Sequence, residues 1–137
     1  MVLTSAHAPL QWTAVPPEPR AIAAMPLEEK IGLIAFGMGD PAFDPATSHA
    51  FRRAAAQTGL HVYSMKTAGP VAVTDPGLSA ARAVIAGYDL LLDVTDADAV
   101  FWGIAAAVER GELSLDRIDA AVARVLLTAR AASAAMR

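Results

Sequence analysis

From residue 25 onward the apolar positions follow two rhythms, short continuous runs and helical spacing. Val71 to Thr74 and Tyr88 to Val94 are short runs rich in β-branched residues or leucine. Gly69-Pro70, Pro76-Gly77 and Gly87 punctuate them. Such runs predict buried strands. Between them Leu78, Ala81 and Ile85 share one helical face, and Gly87 supplies the stop. A strand–helix–strand unit of this kind predicts a parallel pair joined by a right-handed crossover. Asp75 and Asp93 then close the two strands at one sheet edge. In parallel α/β folds, sites collect at that edge.

The flanking segments read mostly as helices. Leu27, Ile31 and Ile34 follow Pro26, with Glu28 and Glu29 at the positive end of a helix. Ile31 to Phe36 could instead run as a strand. His49 to Thr58 reads as a helix with Phe51, Ala54 and Ala55 inward, a cap at Thr47 or Ser48, and Gly59 as its stop. His61 to Met65 reads as a short strand and Lys66 to Gly69 as a turn. Thr95-Asp-Ala-Asp98 resembles a capping box opening a helix to Arg110, with Val100, Ile104, Ala107 and Val108 inward. Ser114 caps a last helix whose face is Ile118, Val122, Val125, Leu126 and Ala129. Met1 to Ala24, with Pro16, Pro17 and Pro19, keeps neither rhythm and predicts a flexible arm in which Trp12 is the docking residue.

Composition narrows the classes. The chain has 137 residues, 55% of them hydrophobic, enough for one domain with a core. A net charge of −3 gives no electrostatic reason to expect nucleic acid or an anionic membrane. Cysteine is absent, which removes disulfides and thiolate metal sites. No run approaches the about 20 apolar residues of a membrane span, and no secretory leader is visible. A cytoplasmic protein without a cofactor is the expectation.

Four pieces of the second half, in order, resemble the closing portion of the catalytic barrel of glycoside hydrolase family 3. Val71-Ala-Val-Thr-Asp75 resembles the strand ending in that family's nucleophilic aspartate. Ala83 to Leu92, AVIAGYDLLL, resembles the following helix and strand. Ala105 to Gly111 and Leu113 to Leu126 resemble the last two helices, and Met25 to Gly32 resembles the opening of the domain. The resemblance implies hydrolysis of terminal β-linked sugars with retention, of the β-glucosidase or β-N-acetylhexosaminidase type, through a glycosyl-aspartate at Asp75. A (β/α)₈ barrel takes about 250 residues, so only part of one fits in this chain. The family's Lys-His sugar-binding loop has no counterpart, since no Lys-His pair occurs.

The candidate chemistry is sparse. Retaining glycosidases set two carboxyl groups about 5–5.5 Å apart around the anomeric carbon. Asp75 matches the nucleophile by resemblance, and by residue chemistry it is equally a turn former or helix cap in Asp-Pro-Gly. Asp93 and His61 are candidate substrate-binding residues; His61 also reads as a structural histidine. No His-x-x-x-His spacing exists, so no metal is expected. Gly37-Met-Gly-Asp40 lacks a dinucleotide fingerprint, and Arg52-Arg53 reads as a solvated helix face. Phe101 and Trp102 suit core packing or a sugar platform.

The expected fold is therefore α/β, a partial barrel-like parallel sheet of three or four strands with about five helices over residues 25–137. Exposed sheet edges on such a half-barrel predict a homodimer or a complementary chain. The alternative function is a non-catalytic remnant serving as a binding or scaffold module. A small flavodoxin-like regulatory domain is a third reading, although no acidic cluster follows an early strand.

Overall fold

A computed structural model describes residues 18–35, 49–67 and 69–135. Its elements run α1 (Pro19–Ala23), α2 (Leu27–Ala35), α3 (His49–Thr58), β1 (Val62–Ser64), α4 (Pro70–Thr74), α5 (Pro76–Ala86), β2 (Leu90–Leu92), α6 (Ala97–Glu109) and α7 (Leu115–Ala135). The arm expected over Met1 to Ala24 falls mostly outside the described residues. Its described end is α1, whose Ile22 is buried and which packs against α7. The Gly37 to Asp40 loop and the Thr47 or Ser48 cap lie outside the described residues.

The partial-barrel expectation is overturned. Among the described residues the sheet has two strands, not three or four, and there are seven helices. β1 and β2 pair in parallel, Val62 with Leu90, Tyr63 with Leu91 and Ser64 with Leu92. The missing strand is Val71 to Thr74, which is helical. Pro70 occupies its first turn, where a ring-fixed φ and a missing N–H do no harm. Thr74 Oγ1 returns a hydrogen bond to Pro70 O at 3.1 Å. A four-residue apolar run has too little length for its composition to distinguish strand from helix. With three residues per strand, the long unpaired sheet edges expected of a half-barrel are absent among the described residues.

The core is helix on helix, with the strand pair set into it. α7 is the longest element and packs against α1, α2, α3 and α5. Its buried face includes Ile118, Val122, Val125, Leu126 and Ala129, the stripe its spacing predicts. α2 is a helix over its printed length and packs on β2, α6 and α7, which excludes the strand alternative for Ile31 to Ala35. Lys30 is buried there with Nζ 2.7 Å from Asp119 Oδ1, an ion pair by distance. The alignment is not that of a hydrogen bond, and Asp119 Oδ1 accepts none. Leu90 and Leu91 of β2 are both buried, as a continuous apolar strand covered on two faces should be.

α5 presents a different face from the one its largest residues suggest. Leu78 and Ile85 are exposed, while Gly77, Ala80, Ala81 and Val84 are buried. The cause is a close crossing with α6. A Cβ placed on Gly103 would lie 2.4 Å from Gly77 O, and one placed on Gly77 would lie 2.5 Å from Ala99 O. The small-residue face wins because it lets two backbones touch. Asp96, rather than Thr95, caps α6 by accepting from the Ala99 N–H at 3.0 Å. Ser114 caps α7 as expected, accepting from the Arg117 N–H at 3.1 Å. Among the described residues no helix is long and apolar enough to cross a membrane.

Candidate functional site

The two ends of the strand pair carry the polar chemistry. At the carboxyl end, β1 runs out through Met65 and Lys66 and β2 through Asp93, Val94 and Thr95. With Ala72 and Val73 of α4, these residues line a pocket of about 550 Å³. The lining is mixed. Lys66 brings an ammonium, Asp93 a carboxylate and Thr95 a hydroxyl, while Met65, Ala72, Val73 and Val94 supply an aliphatic wall.

Asp93 is held with care. Among the described residues it is the one non-glycine residue with a positive φ, at 57°. A left-handed backbone costs an L-residue roughly 1–2 kcal/mol, and aspartate is among the few that visit it routinely. Its Oδ2 accepts from Ser64 Oγ at 2.8 Å. That bond ties the end of β2 to the end of β1.

Asp75 does not line this pocket. It ends α4 and caps α5, its Oδ1 accepting from the Leu78 N–H at 3.1 Å. Its side chain is exposed. The helix-cap role is therefore the one its geometry displays.

His61 stands at the opposite end of the sheet from Asp93, four residue steps or roughly 13 Å along the strands. It shares a smaller pocket of about 280 Å³ with Ala86, Gly87 and Tyr88. Its ring is 68% exposed, with Nδ1 3.9 Å from Asp89 Oδ2. Of the three sequence-predicted site residues, Asp93 alone lines the pocket at the carboxyl edge.

The amino end is built around Asp89, which is fully buried. Its Oδ2 accepts from the His61 backbone N–H at 3.1 Å. Its Oδ1 accepts from the Arg117 guanidinium at 3.0 Å and from the Arg124 guanidinium at 3.4 Å. Arg117 donates further to the carbonyls of Val84 and Tyr88 at 3.0 and 2.8 Å. One carboxylate thus joins the start of both strands to α7. Both carboxylate oxygens of Asp89 are taken up by these bonds, which leaves the carboxylate itself no capacity for a ligand.

Sequence reasoning missed Lys66 in the pocket, Ser64 as the partner of Asp93, and the whole Asp89 cluster. Lys66 had a signal, being one of two lysines and directly following a strand. The Asp89 cluster had none, because its arginines lie 28 and 35 residues along the chain. Among the described residues no group of three or more His, Asp or Glu side chains could hold a metal ion. Phe101 is buried and Trp102 is half exposed, their rings edge to face at 5.1 Å. Comparison with protein-family models, with curated proteins and with solved structures found no match.

Proposed function

We propose that this chain is a binding module for a small neutral carbohydrate, the non-catalytic form of the resemblance to family 3 glycoside hydrolases. The observation that carries the reading is the pocket at the carboxyl edge of β1 and β2. A sugar offers hydroxyl groups that donate and accept, and an apolar face of C–H bonds. The pocket offers an acceptor at Asp93, a donor at Lys66, both at Thr95, and an aliphatic wall for the C–H face. A carboxylate and an ammonium in one lining also favour a neutral ligand over an anion.

The non-catalytic form is favoured by the position of Asp75. A retaining nucleophile must face the anomeric carbon, with its acid/base partner across the scissile bond. Asp75 instead gives an oxygen to the α5 N-terminus and is absent from the pocket lining. Three-residue strands leave little sheet edge to cover, so we propose no partner chain on that ground.

Calorimetric titration with methyl β-glucoside and methyl β-N-acetylglucosaminide tests the reading, alongside an aryl-glycoside assay of wild type and Asp75→Asn. Saturable binding without turnover is the expected result. Turnover that disappears in Asp75→Asn would replace it with the glycosidase reading. Neither binding nor turnover would remove the carbohydrate reading altogether.

A further inference from the structure

Nothing about the turn after β2 asks for a carboxylate. Glycine would take a φ of 57° without strain, and asparagine would take it as readily as aspartate. Position 93 nevertheless carries a carboxylate, exposed and on the wall of the pocket at this sheet edge. One oxygen of that carboxylate is occupied by Ser64 at 2.8 Å. The other has no hydrogen-bond partner among the described residues. A strained residue with one oxygen anchored and one oxygen free is what a preorganised acceptor requires.

We propose that Asp93 is the specificity-determining residue of the pocket, accepting one particular hydroxyl of the bound sugar on Oδ1, and that Ser64 is its positioning residue. The inference rests on the carbohydrate-binding reading above and adds which atom reads the ligand. Ser64 bonds Oδ2, which favours one orientation of the carboxylate and leaves Oδ1 for a ligand hydroxyl. A site that bonds a hydroxyl discriminates against the analogue lacking it, because the analogue forfeits its hydrogen bond to the carboxylate.

The experiment is a double-mutant cycle between protein and ligand. Methyl β-glucoside and its four monodeoxy analogues are titrated into wild type, Asp93→Asn, Asp93→Gly and Ser64→Ala, with thermal melting of each protein as the control for folding. Wild type is expected to lose at least about tenfold in affinity for one of the deoxy analogues, in line with one hydrogen bond to a charged acceptor. Asp93→Gly is expected to bind the parent sugar as weakly as wild type binds that analogue, and to show no further loss with it, while Asp93→Asn, which keeps a neutral amide in place of the charge, should fall between. Ser64→Ala should lose severalfold for the parent only, and Ser64→Thr should restore it. Parent affinity unchanged in both Asp93 variants overturns the assignment while the binding reading stands. A uniform loss across all analogues also overturns it, since that is what damage to the fold produces. A wild type that binds no sugar overturns both.

Discussion

Two aspartates bracket β2, four residues apart, and their circumstances are opposite. Asp89 precedes the strand, has no exposure, and is bonded on both oxygens by a backbone N–H and two guanidinium groups. Asp93 follows the strand, is exposed, sits on left-handed backbone, and keeps one bond to Ser64. The first is a carboxylate whose whole hydrogen-bonding capacity is consumed by the fold. The second is a carboxylate whose capacity is half unspent and whose backbone is strained to present it. The difference teaches how to separate a structural acid from a binding acid: satisfaction and burial mark the one, strain and spare capacity mark the other.

The comparison is most sharply tested at Asp89. Asp89→Ala removes the acceptor of two arginines and is expected to destabilise the fold by about 3 kcal/mol, the lower end for breaking a buried pair because Arg124 is partly exposed. Urea denaturation measures it, and a change below about 1 kcal/mol would mean that the cluster does not hold the strands to α7.

The seam between α5 and α6 comes next, because α5 lies in the crossover between β1 and β2. Gly103→Ala would put a Cβ 2.4–2.5 Å from the Gly77 backbone. Backbone cannot yield as a side-chain tip can, so we expect a loss of about 2–3 kcal/mol. Ile85→Ala on the exposed face of the same helix should change stability by less than about 0.5 kcal/mol. Equal effects at the two positions would contradict the observed packing face.

At Asp93 the sign should reverse. Asp93→Gly relieves the left-handed backbone and loses one exposed hydrogen bond, for a net change between zero and a gain of about 1 kcal/mol in thermal melts. A loss comparable with that of Asp89→Ala would make Asp93 a structural acid too.

The smallest effect is a pH dependence at the surface. Arg110 donates to Glu112 at 2.7 Å and holds its carboxyl below the usual carboxylate range. A carboxyl lowered in the folded state stabilises the fold above its unfolded value, and the contribution fades as pH falls through the folded value. Both side chains are exposed, so salt screens the pair. Melting of Glu112→Gln against wild type at low and high ionic strength should show a slight difference at neutral pH that disappears in acid. A difference that persisted in acid would assign it to something other than the ion pair.

The chain's rhythm alone determined much of this molecule. His49 to Thr58, the helix after Asp96 and the helix after Ser114 are where their apolar spacing puts them, the last with its expected Ser114 cap. Both true strands were also readable, as three-residue cores within His61 to Met65 and Tyr88 to Val94. Those signals are local, and local chemistry decides them. Tertiary structure alone decided the rest. Val71 to Thr74 could have been strand or helix, and it packs against α5 as a helix. α5 could have turned its large residues inward, and the Gly77–Gly103 contact turned its small ones in instead. Asp75, Asp89 and Asp93 look alike as letters. One caps a helix, one is consumed in the core and one faces a pocket. Their partners are a helix N-terminus, two arginines from a distant helix and a serine on the neighbouring strand. The arginines and the serine are brought close only when the chain is packed.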